Sequence, residues 1–164
     1  FIGCANNDIE VFPGWLEALV EPFKKFKNVG ITGLVSSKDR YEAENFHGRV
    51  ITSGGYLRHH MQSGALWMST ASVLKRVKLF DEQFEVGGEE DVDLFMRMRD
   101  KYGFKIIMSD KSMFWHKEGA TRWADDVKAK NKAIEQKNHD KYAKKWGYDI
   151  REQGIPFYEE ILEE

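Results

Sequence analysis

Apolar residues along this chain fall into short continuous runs and into three- and four-residue recurrences, and the two rhythms mark out strand and helix candidates in alternation. Phe1 to Ala5 is an apolar run that stops at Asn6-Asn7-Asp8, which predicts a short buried strand with a polar turn at its C-terminal edge. Pro13 and Gly14 then open a helix whose core stripe is Trp15, Leu16, Leu19, Val20 and Phe23, running to about Phe26. Val29 to Val35 is a second strand, and the strand-helix-strand order predicts parallel pairing under a covering helix. From Ser36 to His60 the pattern weakens to a long loop with one strand near Arg49 to Thr52, a rim beside a site; His59 and His60 read as a solvated pair.

Ser63 to Ser69 returns to strand character, with small residues at its start that let another group approach the backbone. Thr70 caps a short helix, Ala71 to Val77, and Leu79 to Phe84 forms a turn anchored by two aromatics. The organising stretch is Val86 to Tyr102. A glycine pair enters Glu89-Glu90-Asp91, and Leu94, Phe95, Met98 and Tyr102 recur at helical spacing up to Gly103. Phe104 to Met108 is a strand, Ser109-Asp110-Lys111 a turn, Met113 to His116 a last strand, and Lys117 to Arg122 a polar loop. Ala124 to Tyr148 reads as a charge-rich helix with a thin stripe of Ile134, Tyr142 and Trp146, followed by a tail from Arg151 that is frayed or packed weakly.

Composition narrows the class. At 164 residues the chain suits one domain with a real core, and 41% hydrophobic with 32% charged residues is ordinary for a globular protein. A net charge of −2 gives no basic field for nucleic acid. Cys4 is the sole cysteine, which excludes an intrachain disulfide and fits a reducing compartment. No apolar run approaches the roughly 20 residues that cross a bilayer, and no signal peptide is visible, so the expected setting is cytoplasmic. Seven lysines against four acids between Ala124 and Trp146 suit peripheral contact with an anionic inner membrane face; a peripheral helix packed by a few aromatics is the favoured reading, because the stripe is narrow for membrane insertion.

Three places carry candidate chemistry. Carboxylates at a helix N-terminus are favoured by the macrodipole, which keeps Asp91 ionised and ready to accept a proton; the plain alternative is an acidic cap. Asp8, after Asn6 and Asn7, presents oxygen to a hard divalent cation, or simply closes an Asx-turn. His116 ends another strand, and imidazole beside a carboxylate tilts metal preference from Mg²⁺ towards Mn²⁺. Lys117 and Arg122, just beyond, could neutralise a diphosphate, though two basic residues in a loop are common without any such role.

Taken in order, Asn-Asn-Asp after a strand, Pro-Gly-Trp-Leu, Ser-Gly-Ala-Leu-Trp-Met, Leu-Phe-Asp-Glu-Gln-Phe, Glu-Glu-Asp-Val-Asp-Leu-Phe-Met-Arg, Trp-His-Lys and Lys-Lys-Trp-Gly resemble the later part of family 2 glycosyltransferases of the GT-A fold, in their rhamnosyltransferase-like branch. The resemblance covers roughly Phe1 to Tyr148, a partial GT-A domain followed by a tail over 149–164. It implies an α/β fold with a mixed, mostly parallel sheet flanked by helices, lacking its N-terminal strands. It also implies inverting, metal-dependent transfer of a sugar from a nucleotide-sugar donor to a hydroxyl of a glycan, lipid-linked or protein acceptor. Asp8 would ligate Mn²⁺ or Mg²⁺ in the place of the family's Asp-x-Asp motif, with Asn6 and Asn7 beside the donor; Asn6 puts an amide where the family has a carboxylate, which bears on how tightly the cation binds without nucleotide. Asp91, with Glu90, would be the general base, Gly64 and Ala65 would line the donor sugar, His116 would complete the metal site, and Lys117 and Arg122 would meet the diphosphate.

Because the family's first half would precede Phe1, Phe1–Ala5 and Val29–Val35 are expected to expose an edge or apolar face, so that the polypeptide self-associates or is marginally stable and transfers sugar poorly. The alternative is a non-catalytic carbohydrate- or partner-binding remnant of the same fold.

Overall fold

One twelve-residue strand carries the sheet. The computed structural model describes residues 1–46, 56–59, 64–85, 88–118, 127–150 and 159–161. Within them the chain runs β1 (Ile2–Ala5), β2 (Ile9–Val11), α1 (Trp15–Lys25), β3 (Val29–Ser37), α2 (Arg40–Glu44), β4 (Tyr56–His59), β5 (Leu66–Ser69), α3 (Ala71–Val77), α4 (Glu90–Met96), β6 (Lys105–His116), α5 (Lys128–Trp146) and β7 (Glu159–Ile161). Helix α4 continues without a break into a π-helical turn, Arg97–Lys101. The sheet order is β1-β5-β3-β6-β4-β7, and β2 adds to the far end of β6.

The architecture is α/β with a mixed sheet, as the alternating rhythm predicts, but the balance of directions is different. Of the six pairings among the described residues only β3–β6 is parallel. The expected direct pairing of Phe1–Ala5 with Val29–Val35 does not occur, because β5 lies between β1 and β3 and runs against both. The strand-helix-strand rule fixes the hand and direction of a crossover, not whether a later strand inserts beneath it.

Two further expectations are corrected. The predicted turn at Ser109-Asp110-Lys111 is a bulge inside β6: its register against β3 jumps from Leu34↔Ser109 to Val35↔Met113, and the strand runs on. The predicted long loop from Ser36 to His60 contains α2, capped by Asp39, whose carboxylate accepts from the Tyr41 and Glu42 N–H groups, and it contains β4. The strand expected near Arg49 to Thr52 lies outside the described residues.

Period-2 alternation in the central strands feeds a core on each face of the sheet. Trp67, Ile31 and Ile106 point to one side, where they pack with Val73, Leu74 and Val77 of α3 and with Leu94, Phe95 and Met98 of α4 and its continuation. Leu66, Met68, Leu34 and Phe114 point to the other, against Ala18 and Leu19 of α1. Thr32 Oγ1 fastens that layer by donating to the Leu19 carbonyl at 2.8 Å. β3 is therefore interior, and the expected exposure falls on β1, where Phe1 and Ile2 are exposed at the edge. No helix among the described residues is long and apolar enough to cross a membrane.

Candidate functional site

Three parts of the chain meet where β1 ends. The Asn6 N–H donates to the Ala65 carbonyl at 2.8 Å, which joins the end of β1 to the start of β5. Antiparallel pairing of β2 with β6 puts Ile9 opposite His116, and the Lys117 N–H donates to the Asp8 carbonyl at 3.0 Å. Asp8 Oδ1 is thereby held 3.3 Å from His116 Nε2. Helix α4 brings the third part, its acidic first turn.

The three consecutive acids have three different tasks. Glu89 is buried and holds His139 Nδ1 of α5 at 2.6 Å, and its backbone takes a left-handed φ of 64° to start the helix. Glu90 Oε2 accepts from the Gly88 N–H at 2.7 Å. Asp91 turns into a cavity of about 330 Å³ and packs against Gly64; a Cβ at position 64 would lie only 1.8 Å from Asp91 Oδ2. The small residue expected to permit close approach does so, and the group that approaches is Asp91.

Cys4, Asn6, Gly64, Ala65, Glu90, Asp91 and His116 all line this cavity, with Trp67 and Phe80 as its aromatic walls. Of the residues singled out from the sequence, Asp8 joins them through His116. Asn7 is exposed and Lys117, next to His116, is also exposed; neither lines the cavity. Arg122 lies outside the described residues. The Cys4 thiol is pushed up, first by burial and then by the charges of Asp91 and Glu90, so it is held as a thiol and is a poor nucleophile.

Among the described residues no group of three or more His, Cys, Asp and Glu side chains gathers in a metal-binding arrangement. Asp8 and His116 form a pair. One carboxylate oxygen and one imidazole nitrogen 3.3 Å apart are donors of the kind that would suit a Mn²⁺-like cation.

What holds the acidic turn in place comes from residues that periodicity does not mark. Asn138, fully buried on α5, accepts from the Glu85 N–H at 3.0 Å and donates to the carbonyls of Glu85 at 2.7 Å and Gly88 at 2.8 Å. Asp93, two residues beyond Asp91 and on the opposite side of α4, is fully buried: Oδ2 pairs with Arg97 Nε at 2.8 Å, and Oδ1 meets Lys145 Nζ at 2.7 Å and Trp146 Nε1 at 2.9 Å. Trp146 belongs to the stripe read from sequence, whereas Asn138, His139 and Lys145 look like part of a solvated face. Helix α5 is thus the clasp of the site.

No protein-family model matches the chain, and no curated protein matches it.

Proposed function

We propose that this cavity belongs to an inverting glycosyltransferase of the GT-A kind, which moves a sugar from a nucleoside-diphosphate donor to an acceptor hydroxyl. The observation that carries the reading is the seating of the Asp91 carboxylate on Gly64 in the same cavity that His116, paired with Asp8, also lines. It joins a proton acceptor to a place for a diphosphate and its cation. The ordered motifs of the sequence support it independently.

On this reading Asp91 accepts the proton of the acceptor hydroxyl as that oxygen attacks the anomeric carbon, and a single displacement inverts the centre. Glu90, occupied by the Gly88 N–H, acts by shaping the turn that aims Asp91. Gly64 and Ala65 offer a low wall for the donor sugar, and Asn6 stands beside it. Asp8 and His116 would hold the divalent cation, which when bound supplies Lewis-acid stabilisation of the departing diphosphate. Lys117 follows at the rim as a further cation for the phosphates. Cys4 forms no covalent intermediate and stays protonated.

Thermal unfolding with a panel of nucleoside diphosphates and Mn²⁺ tests this. A ligand at 100 times its dissociation constant stabilises by about 2.7 kcal/mol, a rise in Tm of about 5–10 °C for a chain of this size, and Asp8→Ala abolishes it. Failure of every nucleoside diphosphate to raise the Tm in the presence of Mn²⁺ would remove the reading.

A further inference from the structure

Phe80 stands as a ridge between two cavities. On one side it walls the cavity that holds Asp91; on the other it lines a second cavity of about 400 Å³, whose polar and aromatic wall includes Glu82, Lys101 and Tyr102. Phe80 is 39% exposed, whereas Phe84, the other aromatic of the same turn, is buried. The turn is therefore anchored by one aromatic, and the second is presented to solvent. Trp67 braces Phe80 in an edge-on contact, with ring centroids 6.1 Å apart.

The backbone beneath Phe80 is held in an unfavourable form. Lys78 and Leu79 have φ of 63° and 53°, left-handed for two residues that carry side chains, at a cost of about 1–2 kcal/mol each. Arg97 fixes them by donating to the carbonyls of Val77 and Leu79, while its Nε is seated on Asp93 of α4. The helix that aims Asp91 into the first cavity thus also sets the height of Phe80 at its edge.

A partly exposed aromatic ring between two hollows with polar side chains matches a ligand that is apolar on one face and hydroxylated around its edge. Pyranose rings have that character: their axial C–H groups stack on the electron-rich face of an aromatic ring, and their hydroxyls are left for charged and phenolic side chains. We infer that the acceptor is an oligosaccharide of at least two units that straddles Phe80, with its reacting hydroxyl at Asp91 and its preceding unit in the second cavity. This rests on the glycosyltransferase reading and adds to it the size of the acceptor and the residue that seats it. A single sugar or a simple alcohol reaches Asp91 beside the donor and leaves the second cavity unused.

Saturation-transfer NMR on the whole chain, with the aromatic protons irradiated, tests the inference with methyl glucoside, maltose, cellobiose and diacetylchitobiose as probes. At least one disaccharide is expected to receive saturation in both rings and to bind more tightly than methyl glucoside. Phe80→Ala is expected to weaken it about three- to tenfold, and Phe80→Tyr to retain it. An undiminished disaccharide signal in Phe80→Ala, methyl glucoside binding as tightly as any disaccharide, or no saturation of any probe overturns the inference. The Tm of Phe80→Ala with nucleoside diphosphate and Mn²⁺ tells the two readings apart. A retained nucleotide shift beside unchanged sugar contacts removes the Phe80 platform alone, and loss of the nucleotide shift in the unaltered chain removes both.

Discussion

Replacing Gly64 by alanine asks whether the Asp91 carboxylate rests on the start of β5. A Cβ at this position lies 1.8 Å from Asp91 Oδ2, 2.8 Å from its Cγ and 3.2 Å from its Cβ. Non-bonded heavy atoms in good contact stand about 3.5 Å apart, so the carboxylate oxygen has to withdraw by about 1.7 Å. Rotating the carboxylate does not relieve this, because Cγ and Cβ are also crowded, and the first turn of α4 must shift with it. Overpacking of this kind costs about 1–3 kcal/mol, a fall in Tm of about 3–10 °C for a chain of this length. Gly3→Ala is the control: its Cβ meets only the Trp67 carbonyl, at 3.7 Å, an ordinary contact, and its Tm should stay within about 1 °C of the parent. Thermal unfolding followed by near-UV circular dichroism reads both variants, and Gly64→Ala combined with Asp91→Ala should recover most of the loss. Equal melting of Gly64→Ala and Gly3→Ala would show that the two residues do not touch, and with that the site as described would dissolve.

Asp91→Asn removes one of the charges that hold the Cys4 thiol up, so the sole cysteine should gain thiolate and react faster with iodoacetamide at pH 8, followed by mass; an unchanged rate argues against a charged Asp91 beside it. Asn138→Ala deletes three hydrogen bonds to the strap before α4 and should lower stability by about 2–4 kcal/mol in urea unfolding, and a loss under about 1 kcal/mol contradicts the clasp. Burial alone would raise the Asp81 carboxyl, but Lys145 at 2.6 Å and two N–H groups of Gln83 outweigh it and hold it down at about 2. Its contribution is therefore complete above about pH 4 and lost as pH falls through about 2; partly open to solvent, it amounts to about 1 kcal/mol, so Asp81→Asn should trail the parent by that much at pH 6 and match it near pH 2. A deficit that persists unchanged down to pH 2 contradicts the assignment.

Local chemistry was readable from sequence wherever one residue type had one good use. Trp15, Leu19, Val20 and Phe23 of the predicted stripe do lie over the sheet while Leu16 is exposed, Thr70 does cap α3 by accepting from the Val73 N–H, and Gly64 does admit a close neighbour. Convergence of Asn6, Gly64, Asp91 and His116 on one cavity followed from the placing of polar groups at strand ends and a helix start. Pairing partners were not readable, since nothing local in Leu66 to Ser69 tells that it inserts between β1 and β3. Nor was the clasp: Asn138 and His139 sit in a lysine-rich helix, and an amide that serves the backbone of a distant strap has no signature in its own neighbourhood. The acid triplet was legible as an acidic helix start but not as three separate tasks.

The clasp and the turn it holds are distant in the polypeptide. Asn138 reaches back 53 residues to Glu85, and Trp146 reaches back 53 to Asp93. A ribosome adding roughly 5–20 residues per second leaves about 3–10 s between the emergence of the acidic turn and that of its fastener. During that interval Asp93 has Arg97 but not yet Lys145 beside it, and Glu89 has yet to meet His139. The acidic turn of the nascent chain therefore sets only after α5 has emerged, and chaperones or proteases that encounter the growing protein before then meet it open.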